Sequence, residues 1–477
     1  MDSNHAEIRE AQLHGDSVTM ASNNIMGTMP MGKLILQMSL PMMFSMLVQS
    51  LYNIVDSIFV AQLAENALTA VTLALPLQSI MTAVTVGLSV GVNAVLSKFL
   101  GENNQEGVDR AAGNGLLMEW ATYIIFLLIG LFAVEPFFSM QTSDPEIIQY
   151  GVAYTRIVSV LSFGEINQVI MERLLISIGK TLCSMASLFT GAVVNMILDP
   201  IMIFGLLGCP AMGIAGAAYA TVIAQTVAAI LGTVLNLTVN REIHFSLAAF
   251  RLQPSICKDM FVIGIPAILS NAANSVVAFG MNQILISFTS TATAVYGVYV
   301  RLQGFAMMPV FGLRNTIVSI LAYNYGARKK QRIRQAIRIC LIFSLSITLV
   351  VMAVFLIWPD RLLTLFAAQE TMMEIGTIAL RIISLGIPAS GITVVLGATF
   401  QSFGDSGKEF VVSAARVVVL LFSAWLLSLT QTLSVVWWAF VITEVVALLL
   451  AIFFWAKVNN RYIKPMKTET NSNEMQI

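Results

Sequence analysis

Twelve stretches of this chain are apolar for long enough to cross a lipid bilayer, and that constrains its fold more than any other feature. One crossing takes about 20 mostly apolar residues. Runs bounded by Gly, Pro or clustered charge fall near 34–62, 67–97, 115–135, 150–178, 182–207, 213–240, 256–288, 292–323, 335–358, 373–403, 409–430 and 434–457. Each is read as one helix, and the longest of them predict tilted or kinked helices. Composition agrees: 57% of the 477 residues are hydrophobic, 11% are charged and the mean hydropathy is +0.81. A soluble domain carries about 25% charged residues. These values exclude a soluble enzyme, a nucleic-acid-binding protein and a disordered chain.

Net charge is zero, so the placement of charge carries the information. Counting both ends and the connections after every second run, 21 of the 26 basic residues fall on one side, including Arg173, Arg416 and a cluster from Arg328 to Arg338. The opposite connections hold Arg361. The positive-inside rule then places both termini in the cytoplasm of a multi-pass protein of a prokaryotic plasma membrane. The Arg328–Arg338 cluster reads as a topology anchor. Residues 1–30 lack the apolar core of a signal peptide, so targeting is assigned to the first span. The four cysteines have no pairing pattern and read as small core residues. No histidine falls in an apolar run, which excludes a His-based metal centre in the membrane.

The second half of the sequence repeats the first at a constant offset of 225 residues. Pro41 matches Pro266, Leu77-Gln78 matches Leu302-Gln303, Gly87-Leu88 matches Gly312-Leu313, Gly101 matches Gly326, and Gly179 matches Gly404. Each repeat holds an even number of spans, so both insert the same way. The predicted architecture is all-α and polytopic. Its twelve transmembrane helices form two six-helix bundles related by a pseudo-two-fold axis along the membrane normal. The expected domains are a tail at 1–30, an N-lobe at 31–245, a C-lobe at 246–458 and a tail at 459–477. Two such bundles enclose a cleft that opens to either side as they rock, which suits transport better than a channel.

Ionisable residues inside a span cost about 2.5–3.5 kcal/mol each to insert and mark candidate sites. The first half has Asp56, Glu165, Glu172 and Asp199; the second has Arg301, Arg314 and Glu444, with no acid expected within the runs from 256 to 430. Counted from the ends of their runs, Asp56, Asp199 and Thr221 fall at similar depth, about 9–12 Å in. Asn195 shares a helix face with Asp199. Ala217 is one turn before Thr221, which brings its carbonyl toward the same place. Pro41 and Pro200 are expected to kink their helices, and Pro200 frees a carbonyl one turn earlier. Two carboxylates, an amide and a hydroxyl make a hard oxygen set suited to Na⁺. Two close carboxylates in low dielectric cannot both stay ionised without a cation. Asp56, Asn195, Asp199 and Thr221 are therefore expected to bind Na⁺ or a proton. Glu165, Gln168, Arg301 and Arg314 are candidates for lining the cleft.

The residues that carry these features also carry a resemblance. Pro41 fifteen residues before Asp56, the segment VDSIFVAQL, the Asn195–Asp199–Pro200 pattern and GIAGAAYATVIAQ at 213–225 resemble the multidrug and toxic compound extrusion family, in particular its DinF-like bacterial branch. The resemblance implies a V of two six-helix lobes that exports organic, often cationic and amphipathic compounds in exchange for Na⁺ or H⁺. Carried over by position, it implies that Asp56, Asn195, Asp199, Thr221 and the Ala217 carbonyl form the N-lobe cation site. Other branches place acids in C-lobe helices where 260–288 and 375–403 have none here.

The alternative within the same superfamily is a flippase for lipid-linked oligosaccharides or peptidoglycan precursors, favoured by Arg301 and Arg314 and opposed by the acids. An enzyme is not expected: the connections are short and no P-loop, HExxH or nucleophile elbow is present. No cofactor is called for beyond the coupling ion. The expected partners are small drug-like organic molecules and the lipid bilayer, with no nucleic acid, and a monomer is expected.

Overall fold

The computed structural model describes residues 24–63, 65–246, 249–366 and 369–466, and among them no strand occurs. The first half builds α1 (Met31–Ala61), α2 (Glu65–Gly101), α3 (Gln105–Phe132), α4 (Pro145–Val160), α5 (Phe163–Ser177), α6 (Thr181–Phe204) and α7 (Ile214–Thr238). The second half builds α8 (Pro254–Ile286), α9 (Ser290–Gly326), α10 (Lys330–Ile357), α11 (Glu370–Ser384), α12 (Ile387–Ser402), α13 (Ser406–Ser428) and α14 (Trp438–Val458).

Ten of these helices are each long and apolar enough to span a membrane, and α11 with α12 makes a further span bent by 46°. The run 373–403, read as one helix, is therefore two. Its cause is local: Gly386 sits at the break and Pro388 in the first turn of α12. The run 150–178 breaks in the same way, 225 residues earlier, into α4 and α5. There Ser162 Oγ donates to the Ser159 carbonyl at 2.8 Å. Counting each broken pair once gives twelve crossings in two like halves. The helices are interrupted at 161–162 and 385–386. At the prolines expected to kink, α1 runs unbroken through Pro41 and α6 through Pro200. Ser45 Oγ donates to the Pro41 carbonyl at 2.9 Å.

The apolar packing is shared at one end of the molecule and divided at the other. At the end that carries both described chain ends, a single core joins Met38, Val92 and Leu96 to Met260, Ile317 and Ile320 of the other half. Toward the opposite end one core holds Val60, Phe138 and Ile203, and a separate one holds Met281, Leu420 and Phe440. Two halves joined at one end and separate at the other form a V with a cleft between its arms.

The repeated glycines make the joint. A Cβ on Gly101 would lie 1.9 Å from the Tyr323 carbonyl oxygen, and one on Gly326 would lie 2.2 Å from that of Lys98. Gly87 meets Ile268 and Gly312 meets Met43 in the same way, at 2.4 and 2.7 Å. Every one of these partners is related to another by the 225-residue offset, so the repeat packs on itself about the pseudo-two-fold axis. Polar ties cross the joint as well. Asn93 Oδ1 accepts from Ser177 Oγ and from Ser319 Oγ of the other half, both at 2.8 Å. Arg173 Nη1 donates to Asn315 Oδ1 at 3.1 Å.

Three structural facts revise the sequence reading. Arg173 and Arg416, counted with the connections, lie within α5 and α13. The second half carries acids within helices after all, Asp259 in α8, Glu374 in α11 and Glu409 in α13, and Glu409 is buried. The basic cluster after α9 holds protein rather than only facing a membrane. Lys329 Nζ donates to the Gly27 carbonyl at 2.9 Å, and Arg332 Nη2 to those of Met26 and Met29 at 2.9 and 2.8 Å. Lys330 Nζ reaches the carbonyls of Lys464 and Met466 at 2.9 and 2.8 Å. Residues 24–30 and 459–466, expected as parts of the tails, thus meet Lys329 and the first turn of α10. Residues 1–23 of the expected N-terminal tail lie outside the described residues.

The joint makes a prediction about opening. Gly101→Val puts branched carbon into a carbonyl, and Asn93→Leu removes both hydrogen bonds at a cost of about 1–3 kcal/mol. Both are expected to part the joined end and raise labelling of buried Cys257 by a thiol reagent at least fivefold, read by mass spectrometry of the labelled peptide. Unchanged labelling in both variants would contradict this packing.

Candidate functional site

The polar residues of the first half gather where α1, α6 and α7 meet, toward the divided end. Asn195 and Asp199 lie one turn apart on α6, and Thr221 lies on the facing α7. Gly216 allows that approach, since a Cβ there would sit 2.4 Å from the Met202 carbonyl oxygen. Asn195 Nδ2 donates to Asp199 Oδ1 at 3.1 Å and to Thr221 Oγ1 at 3.5 Å. Asp199 is fully buried and Asn195 nearly so. Asp56, five residues before the end of α1, lies within electrostatic reach of Asp199. Ala217 is fully buried one turn before Thr221, packed in the core with Val60 and Ile203.

The cluster has more acceptors than its donors satisfy. Asp56 Oδ1, Asn195 Oδ1 and Asp199 Oδ2 are all buried with no hydrogen-bond partner among the described residues. A buried polar atom left unpaired costs about 1–3 kcal/mol, and more when charged. Three unpartnered acceptors on neighbouring helices make this a candidate site for a positive group. Among the described residues no group of three or more His, Cys, Asp or Glu converges. The donor set here is two carboxylates, one amide and one hydroxyl, which suits a hard monovalent cation or a proton and not a soft transition metal.

Several residues of the site were not singled out from the sequence. Tyr52, one turn before Asp56 on α1, lies in electrostatic reach of Asp56, Asp199 and Glu165. Buried Tyr154 on α4 is in reach of Asp56, Asp199 and Tyr52, and its hydroxyl accepts from Gln78 Nε2 at 3.3 Å. Gln225, one turn after Thr221 on α7, has a buried Oε1 without a partner among the described residues. The four-residue spacing from Asp56 and from Thr221 was the available signal for Tyr52 and Gln225. Nothing local marks Tyr154, which the broken span brings in from a distance. Glu119 on α3 was also passed over. It is fully buried, neither carboxylate oxygen has a partner among the described residues, and Arg173 is the opposite charge acting on it.

The four cleft candidates do not form one group. Glu165 lies in the first turn of α5, accepts from Thr82 Oγ1 at 3.4 Å and is within electrostatic reach of Tyr52. Gln168 Nε2 donates along its own helix to Glu172 at 3.1 Å. Arg301 is exposed on α9 and belongs to no ion pair among the described residues. Arg314, farther along α9, pairs with Glu409 Oε1 at 2.5 Å inside the second half.

Known proteins are similar to this chain in sequence and in fold. The multidrug export protein MepA of Staphylococcus haemolyticus is 25% identical over 90% of this chain and 94% of its own length. A protein of Shewanella oneidensis described as an FAD transporter is 25% identical over 82% of this chain and 87% of its own length. A solved structure described as the outward-facing conformation of a multidrug resistance MATE family transporter superposes with a TM-score of 0.85, at 25% identity, over 91% of this chain and 96% of that one. The family model described as MatE matches twice, at residues 41–201 and 266–426. The two matches stand 225 residues apart, the first opening on Pro41 and the second on Pro266, so the repeat in the sequence, the paired broken spans and the glycine joint are one duplication, and the chain belongs to the MatE family of membrane transporters.

Proposed function

We propose that this protein is a secondary transporter that exports small organic compounds, many of them cationic and amphipathic, in exchange for Na⁺ or H⁺. The observation that carries the reading is the set of buried, unpartnered oxygens of Asp56, Asn195 and Asp199 where α1, α6 and α7 meet. Asp56 and Asp199 hold the cation. Asn195 and Thr221 supply neutral oxygens, and the Ala217 carbonyl completes the set. Cargo occupies the cleft beside Glu165 and the two tyrosines. The relatives are named for multidrug export and for FAD transport, which supports an organic cargo.

Coupling follows from electrostatics. Two empty carboxylates in a low-dielectric chamber attract a positive charge, and cation and cationic cargo compete for that attraction. A ligand shifts the balance between two arrangements only by as much as it prefers one of them. The cation prefers the arrangement in which α1 closes over Asp56, and the cargo prefers the one that leaves the carboxylates facing the cleft. Binding of one therefore releases the other, and a cation gradient drives export. Both termini and the joined end lie in the cytoplasm in this reading, as the distribution of Lys and Arg requires, and the cleft between the arms opens outward. The protein works as a monomer.

The experiment is dye export in proteoliposomes under Na⁺ and pH gradients imposed separately. Asp56→Asn and Asp199→Asn are each expected to lower gradient-driven export at least 100-fold, because each leaves one carboxylate to do the work of two. Thr221→Val, which removes one neutral oxygen, is expected to cost about tenfold. Full gradient-driven export by either Asn variant would reject the site.

A further inference from the structure

The second half holds a cavity of about 180 Å³ among α8, α9, α12 and α13, lined on its polar side by Ser270, Arg314, Glu409, Ser413 and Arg416. At roughly 30 Å³ per water it has space for a few waters or one small aromatic acid. Its polar groups are not leftovers of the repeat. Arg314, Glu409 and Arg416 stand where the first half has Ser89, Ser184 and Gly191.

We propose that this cavity is a subsite for the carboxylate or phosphate group of an organic cargo. Both guanidiniums are held from behind. Arg314 Nη2 donates to Glu409 Oε1 at 2.5 Å. Arg416 Nη2 donates to Glu444 Oε2 and, at 3.1 Å, to Ser390 Oγ. Each guanidinium has five N–H donors in a flat fork and no acceptor, so donors remain after those bonds. Arg416 Nε and Ser270 Oγ are buried with no partner among the described residues. Such a fork matches two oxygens of a carboxylate or phosphate, where an ammonium would meet repulsion. Glu409 Oε2 is the opposing feature, a buried acceptor with no partner among the described residues. It selects a cargo that carries a hydroxyl or amine donor near its acid group. Arg301 tips the charge balance. It sits 13 residues toward the divided end on α9, about 20 Å along the axis, unpaired among the described residues. At and beside the cavity, Arg301, Arg314 and Arg416 outnumber Glu409 and Glu444 by one charge, whereas the other half carries Asp56, Asp199 and Glu165. One cleft with acidic and basic arms accepts molecules that bear both signs.

The assignment of the bound molecule as cargo rests on the export reading; the binding itself does not, and it is measured with no gradient present. The probe is salicylate, an aromatic hydroxy acid small enough for the cavity, titrated calorimetrically into the full chain in lipid nanodiscs. Salicylamide is the uncharged counterpart of similar shape, and phenyl phosphate separates the two acid groups. Saturable salicylate binding at least tenfold tighter than salicylamide is expected. Tighter phenyl phosphate assigns the group to phosphate, and tighter salicylate assigns it to carboxylate. Arg416→Lys keeps the charge beside Glu444 but removes the fork, and is expected to weaken salicylate at least fivefold. Ser270→Ala, which leaves both ion pairs intact, is expected to weaken it about threefold. Equal affinity for salicylate and salicylamide, no salicylate binding, or unchanged affinity in both variants would overturn the subsite.

Discussion

A polar atom buried in a membrane protein has to be met by hydrogen, by a cation or by water, and the molecule is organised by where that requirement is satisfied and where it is left open. Along the joined end many such atoms are met, although Ser39 Oγ and Asn93 Nδ2 have no partner among the described residues. Asn93 takes hydrogens from both halves, Arg332 and Lys329 fill the carbonyls of residues 26–29, and the glycines bring backbones into contact. Where α1, α6 and α7 meet it is left open at three oxygens, those of Asp56, Asn195 and Asp199 that have no partner among the described residues. In the proposed function a cation or proton fills this place, and a positively charged cargo competes for it.

The geometry joins these two regions through single helices. The same α1 that packs Met38 and Met43 into the joint carries Tyr52 and Asp56 toward the chamber, and α2 runs from Gln78 beside Tyr154 to Gly101 at the contact with Tyr323. A change in how tightly Asp56 is held therefore acts on a helix whose other end is part of the joint. The contacts there are between backbones, which deform little, so the two halves respond as bodies that rock rather than as surfaces that flow.

Much of this was legible in the sequence because the bilayer enforces it. Apolar run length gave the crossings, and the 225-residue offset gave two like halves before any coordinates. Asp56, Asn195, Asp199 and Thr221 could be placed at one depth by counting residues from the ends of their runs. What could not be read was long-range or two-sided. A broken span looks continuous when both pieces are apolar, as around Leu161 and Leu385. Tyr154 joins the site through that break, with no spacing to announce it. Glu119, Arg173, Glu409 and Arg416 sit near the ends of apolar runs, where a charge reads as a boundary, and only packing shows that the helices carry them inside. The repeat itself hides the difference in chemistry between the arms: Asp56, Asn195 and Asp199 correspond to Met281, Leu420 and Ala424, all buried in the apolar core of the second half. Each half built its polar site where the other stayed dry.

The central claim is that one buried oxygen cluster holds a cation in competition with exported cargo. Equilibrium binding of a fluorescent cationic dye to the purified protein, measured across a matrix of Na⁺ concentration and pH with no membrane gradient, tests it most directly. The account predicts that the apparent dye Kd rises tenfold for each tenfold rise in the coupling cation once that cation saturates its site, and that this dependence vanishes in the Asp56→Asn, Asp199→Asn double variant. A dye affinity independent of both Na⁺ and pH in the unmodified protein would contradict it.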